Sequence, residues 1–176
     1  MAYKFSYIHK RKVKILKDVR NLRPDELDFL TDMLYESIHI PENKPDKEAL
    51  LGLPHLKKYS ENWGREGDRA LVALDESDRP IGAVWYRLFS EDNQGYGYVD
   101  HSVPELGIAV KEEARGMGIG RILMKKIIQQ AKDDGYNQIS LSVDPSNTAA
   151  FEMYKELGFH IYGKSGTSLT MVFDIQ

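Results

Sequence analysis

The apolar run Pro104 to Val110 leads through Lys111-Glu-Glu-Ala into Arg115-Gly-Met-Gly-Ile-Gly-Arg121, and beyond Gly120 the residues Leu123, Met124, Ile127, Ile128 and Ala131 recur at helical spacing. This order, strand, glycine loop, amphipathic helix, constrains the fold more than any other feature of the chain. A helix's first turn carries backbone N–H groups with no intrahelical acceptor and the positive end of the dipole, and glycine lets an anion reach them without meeting a Cβ. Arg115 and Arg121 add charge at the edge of such a site. A nucleoside-triphosphate loop of the form G-x-x-x-x-G-K-[ST] is excluded, because Arg121 and Ile122 follow Gly120. A dinucleotide fingerprint is disfavoured: the spacing is G-x-G-x-G, and the elements upstream read as antiparallel rather than as repeated βαβ units.

Upstream, Val13 to Val19 reads as a first strand. Pro24 then sits in the first turn of a helix reaching Ser37 or Ile38, with Leu27, Leu30, Leu34 and Ile38 as its apolar stripe. Pro41 and Pro45 end it. The stretch from Ile40 to Asp68 has weak periodicity and places His55, Tyr59 and Trp63 on one or two short helices. Arg69 to Leu74 and Ile81 to Phe89 predict an antiparallel hairpin around Asp75-Glu-Ser-Asp-Arg-Pro80, followed by a long Gly/Tyr/Asp connection from Glu91 to Ser102. After the glycine-loop helix, which Gly135 is placed to stop, Gln138 to Val143 alternates as a strand. Asp144-Pro-Ser-Asn147 opens a further helix that Gly158 ends. Strands near Phe159 to Tyr162 and Leu169 to Ile175 close the chain.

Composition narrows the chemistry. The chain has 176 residues and no cysteine, so a thiol nucleophile, a redox pair and a thiolate metal site are all excluded. A net charge of −3 gives no global positive field for nucleic acid or anionic membrane. The basic run from His9 to Lys17 alternates with Val13 and Ile15 and reads as the solvated face of a strand. No apolar segment matches a secretory signal or the roughly 18 to 20 residues that span a bilayer. The expectation is one cytoplasmic domain over residues 1–176, with no membrane or nucleic-acid partner. His39 and His55 show no metal-ligand spacing, so no metal is expected.

Arg115, Gly118 and Gly120 fill the pattern (Q/R)-x-x-G-x-(G/A), with Gly116 and Ile119 also typical, and the segment resembles the acetyl-CoA loop of the GCN5-related N-acetyltransferases. Asn147-Thr-Ala-Ala-Phe-Glu-Met-Tyr-Lys-Glu-Leu-Gly-Phe159 resembles that family's next helix at the family's spacing. The resemblance implies an α/β (α+β) fold: a mixed, twisted sheet of about six or seven strands whose central strands splay apart, flanked by about four helices. Residues 104–162 would form the cofactor-binding core and 24–68 the acceptor side. It also implies transfer of an acetyl group from acetyl-CoA to a primary amine of a small molecule or peptide, by a monomer or homodimer. The alternative is a non-catalytic acyl-CoA-binding module of the same fold. Lacking a thiol to carry the acetyl group, the chain favours direct attack by the amine.

Carried over residue by residue, Ile108, Ala109 and Val110 offer backbone groups to the pantetheine arm. Arg115, Gly116, Met117, Gly118, Ile119, Gly120 and Arg121 hold the pyrophosphate, and Asn147 and Ala150 border the arm's other side. Tyr154 corresponds to the tyrosine that protonates the coenzyme A sulfur, although Ala150, Phe151, Tyr154 and Leu157 also make an ordinary packing stripe. Glu105 shares a strand face with the small residues Gly107 and Ala109, as either the amine's base or its binding carboxylate. Around the acceptor, Tyr35, Tyr96, Tyr98 and Asp100 suit a cationic amine through aromatic faces and charge.

Overall fold

The computed structural model describes residues 16–176. Residues 13–15 of the predicted first strand, and the basic run up to Lys14, lie outside the described residues. Lys17 lies within them and pairs with Asp78 at 2.7 Å. Among the described residues seven strands form one sheet: β1 (Leu16–Asn21), β2 (Arg69–Asp75), β3 (Pro80–Arg87), β4 (Glu105–Val110), β5 (Gln138–Val143), β6 (His160–Ser165) and β7 (Ser168–Asp174), in the order β1-β2-β3-β4-β5-β7-β6. Every neighbouring pair is antiparallel except β4 and β5, which run parallel. The predicted hairpin is β2–β3, and its turn is held by the Asp75 carboxylate, which accepts the N–H groups of Ser77 at 2.9 Å and Arg79 at 3.0 Å.

Among the described residues five α-helices accompany the sheet, where the family resemblance implies about four: α1 (Leu27–Ser37), α2 (Lys47–Leu51), α3 (Pro54–Lys57), α4 (Ile119–Asp133) and α5 (Thr148–Leu157). The weakly periodic stretch supplies two, each barely a turn long, and Pro24–Glu26 forms a 3-10 turn ahead of α1. The buried side of α1 is Leu30, Met33 and Leu34, an i, i+3, i+4 arc; Leu27, at the first α-helical position, is 41% exposed.

Period-two alternation divides the core between the two faces of the sheet. Leu71 and Ala73 of β2, Val84 and Tyr86 of β3 and Leu106 of β4 pack with Leu123, Met124 and Ile127 of α4. Ala70, Ala83, Trp85 and Ala109 point the other way, against Leu30, Met33 and Leu34 of α1. Both faces of β2 and β3 are therefore covered, which is why these strands read as continuous apolar runs. Glu105 and Gly107 alternate with Leu106 and so lie on the α1 face.

Candidate active site

Residues facing each other in an antiparallel ladder alternate between pairs that exchange hydrogen bonds and pairs that do not. The Lys111 N–H donates to the Ile81 carbonyl at 2.8 Å, so Ala109 with Ala83 and Gly107 with Trp85 are the bonded pairs. The N–H and C=O groups of Leu106, Ile108 and Val110 consequently turn toward β5. There β5 meets the ladder at Glu105 opposite Ser140, and the Ser140 N–H donates to the Pro104 carbonyl at 3.0 Å. Beyond that point no register pair joins the two strands, and a cleft of about 1090 Å³ opens between them.

Ile108 and Val110 thus turn backbone groups toward the cleft, on the strand where the family resemblance puts the pantetheine arm. Ala109 is a correction: its side chain lines the cleft, but its amide and carbonyl belong to β3. The Val110 carbonyl accepts Nε of Arg115 at 2.8 Å, and ladder parity turns the Val110 N–H toward the gap.

Arg115 and Gly120 line one part of the cleft, with Gly116, Met117, Gly118 and Ile119 forming the turn between them. Gly118 precedes α4 at φ 79°, a left-handed conformation that glycine takes without strain, and an added Cβ would meet nothing within 4 Å. The space above this turn is open. The Ile122 N–H makes the helix's first hydrogen bond, to the Gly118 carbonyl at 3.2 Å, so the amides just before it lack intrahelical acceptors. Ile119 is 2% exposed and anchors the turn in the core, whereas Met117 is 41% exposed. Arg115 also reaches Glu36 at 3.2 Å, and Arg121 pairs with Glu156. Across the gap, Asn147 caps α5 through the Ala150 N–H at 3.4 Å, and both residues line the cleft.

Glu105 and Tyr154 line the same cleft. Tyr154 is 7% exposed, its ring packs on Phe159 at 5.9 Å, and its hydroxyl has no hydrogen-bond partner among the described residues. Burial pushes the phenol up to about 12. Glu105 is 6% exposed; its Oε1 accepts the Tyr59 hydroxyl at 2.9 Å and the Gly97 N–H at 3.0 Å, while Oε2 is buried without a partner. Burial raises this carboxyl to about 7, against the opposing pull of its two donors and of Lys58.

The predicted acceptor residues divide. Tyr96 lines the cleft, edge-on to His55 at 6.3 Å. Tyr98 and Asp100 do not; they line a separate depression of about 580 Å³, and the Asp100 carboxylate is occupied by the N–H and hydroxyl of Ser102. At Gly97 the loop passes so close to β5 that a Cβ would lie 2.7 Å from the Leu141 carbonyl carbon, and Tyr96 and Tyr98 fall on opposite sides of that crossing. Tyr35 is also outside the cleft lining: its hydroxyl donates to the Pro45 carbonyl at 2.8 Å, and Lys44 sits over its ring at 4.0 Å.

Arg87 and Asp68 escape sequence reasoning. Arg87, 1% exposed, binds the Asp68 carboxylate at 2.6 Å and the carbonyls of Lys58 and Glu61 at 2.8 Å each. It fixes the segment that carries Tyr59. A lone charge inside the apolar run from Ile81 to Phe89 is the signal that could have exposed it. Among the described residues, no group of three or more His, Asp or Glu could hold a metal ion.

A splayed strand pair, an open backbone edge and a glycine turn at a helix N-terminus together form a cleft suited to an extended, phosphate-bearing ligand. The model of the acetyltransferase (GNAT) family matches residues 30–159. The chain belongs to that family, whose acetyl donor is acetyl-CoA. It is 26% identical over 117 residues to the L-methionine sulfoximine/L-methionine sulfone acetyltransferase of Pseudomonas aeruginosa, covering 66% of this chain and 65% of that protein. It is 33% identical over 137 residues to the mycothiol acetyltransferase of Renibacterium salmoninarum, covering 77% of this chain but 37% of the relative. The chain therefore spans from about a third to about two thirds of these two relatives' lengths. Among solved structures, yncA from Salmonella typhimurium with its cofactor acetyl-CoA superposes with a TM-score of 0.66 at 16% identity, covering 92% of this chain and 95% of that one. A phosphinothricin acetyltransferase from Sinorhizobium meliloti in complex with acetyl-CoA gives 0.65 at 21% identity, covering 90% and 88%. These two likenesses show the α+β fold with its parallel β4–β5 pair. No helix among the described residues is long and apolar enough to cross a membrane.

Proposed function

We propose that the protein is a cytoplasmic N-acetyltransferase that moves the acetyl group of acetyl-CoA directly to a primary amine of a small molecule or peptide. The observation that carries this reading is a single cleft combining three features. These are the backbone edge of Ile108 and Val110 that β5 does not pair, the open glycine turn of Gly116 to Gly120, and two ionisable side chains, Glu105 and Tyr154. The residues present fit acetyl-CoA. The edge of β4 suits the amide-bearing pantetheine arm, and the turn before α4, with Arg115, suits the pyrophosphate. Once bound, acetyl-CoA supplies an activated acetyl group and a thiolate leaving group.

An alkylamine has a pKa of about 10.4, so near neutral pH it must lose a proton before it is nucleophilic. Glu105 is the acceptor of that proton: raised to about 7, it is ionised at mildly alkaline pH and is a stronger base than a carboxylate at the ordinary 4.5. The Val110 N–H, facing the gap, is placed to donate to a carbonyl lying along β4. Tyr154 acts as a hydrogen-bond donor. Giving its proton up fully to a thiolate of pKa about 8.5 would cost roughly 5 kcal/mol for a phenol at about 12, so its contribution is a bond that strengthens as charge builds on sulfur.

The test is thiol release from acetyl-CoA in the presence of a panel of amines, read against acetyl-CoA alone. Amine-dependent thiol release supports the reading. Coenzyme A binding with no amine-dependent release would overturn it in favour of a non-catalytic module.

A further inference from the structure

We infer that Tyr59 is the positioning residue of Glu105, locking the carboxylate so that Oε2 is the oxygen that exchanges a proton. The inference rests on Glu105 being the proton acceptor. Oε1 receives both the Tyr59 hydroxyl at 2.9 Å and the Gly97 N–H at 3.0 Å, whereas Oε2 is buried and has no partner among the described residues. The Tyr59 hydroxyl in turn accepts the Tyr96 N–H at 2.7 Å, which fixes the direction in which its own hydrogen points. At Gly95 a Cβ would lie 2.0 Å from Oε2 and 2.8 Å from the Tyr59 oxygen, so only glycine lets the loop close over this pair.

Tyr59 is itself held rigidly. Its ring meets Phe89 edge-on at 5.0 Å, and the carbonyl of the preceding residue, Lys58, accepts from the buried Arg87 guanidinium at 2.8 Å. With Oε1 saturated, rotating the carboxylate would break two hydrogen bonds. The free oxygen is thereby the only one left to take a proton.

A donor on Oε1 favours the charged carboxylate over the acid, so losing it moves the protonation of Glu105 to higher pH. The other charged or titratable groups around the carboxylate are Lys58, Tyr96, His55 next to Tyr96, and Arg87 opposite it on β3, neutralised by Asp68. Tyr59→Phe removes none of these groups, although it also takes away the acceptor of the Tyr96 N–H.

The experiment is a carbon-13 titration of the glutamate carboxyl groups in the full chain, with the Glu105 signal assigned by its loss in Glu105→Gln. In Tyr59→Phe the Glu105 midpoint is expected to rise by about one pH unit, and the acid limb of kcat/KM with it, while coenzyme A affinity is unchanged. A midpoint that stays where it is in the unsubstituted protein would overturn the inference. The unsubstituted protein gives a second reading that needs no variant: the Tyr59 hydroxyl proton should resonate downfield and move with the Glu105 midpoint, and its failure to do so would also overturn the inference. The parent reading fails separately, if Glu105→Gln keeps the rate and its acid limb.

Discussion

Glu105 faces Ser140 as the single register pair between β4 and β5, and the same residue that closes the sheet at this point turns its carboxylate toward the cleft beyond it. One position thus marks both the end of the ladder and the start of the chemistry. The strands separate immediately past Glu105, so the backbone edge proposed to receive the pantetheine arm begins within a few residues of the group proposed to receive the proton.

Glu105 also makes stability depend on pH in a definite direction. Its folded-state pKa of about 7 lies above its ordinary 4.5, so between these values the folded protein holds a proton that the unfolded chain has released. The stabilisation this gives at low pH is lost as pH rises through that window. Glu105→Gln cannot titrate, so relative to the unsubstituted protein it should gain up to roughly 3 kcal/mol between pH 5 and pH 8. Denaturant melts of both proteins at the two pH values measure this, and an equal difference at both would refute it.

Gly118→Asp should lower coenzyme A affinity by at least about 100-fold, as measured by calorimetry, because it puts a carboxylate where the proposed site would hold the pyrophosphate. The fold should survive. Aspartate is a favourable residue at a helix N-cap and is among the few that enter the left-handed region, which offsets the strain at φ 79°.

Tyr154→Phe keeps the ring that packs on Phe159 and removes only the hydroxyl. Turnover should fall about 10²-fold, with coenzyme A affinity nearly constant. Unchanged turnover would remove Tyr154 from the reaction and leave it as a packing residue.

Gly95→Ala tests how closely the acceptor loop fits the base. The new methyl would sit 2.0 Å from Glu105 Oε2, and either the loop or the carboxylate must move. Steady-state kinetics should show kcat reduced by about 10²-fold while acetyl-CoA binding is retained, since the cofactor turn is untouched. Full activity would mean that the loop does not close over Glu105 during turnover.

Much of the fold is legible without coordinates. Local rules place the β2–β3 hairpin, the glycine stop at Gly135, the cap at Asn147 and the alternation of β5, because each is written in residues close together along the chain. The cofactor turn is legible for the same reason: Arg115 to Arg121 are consecutive, and helix end effects need nothing distant. The short helices α2 and α3 were poorly legible, since a single turn has no room for a period.

Tertiary structure alone decided three things. Ladder parity, set by the Lys111–Ile81 hydrogen bond, gave Ile108 and Val110 to the cleft and withheld the backbone of Ala109. The crossing of the loop past Leu141 at Gly97 brought Tyr96 into the cleft and left Tyr98 and Asp100 outside it. The meeting of Tyr59 with Glu105, 46 residues apart, created the buried and oriented carboxylate. By itself the sequence determined which residue types were available and the local turns they prefer. Hydrogen-bond direction, burial and a shifted pKa depend on what packs against a group from elsewhere in the chain, and only the assembled sheet supplies those neighbours.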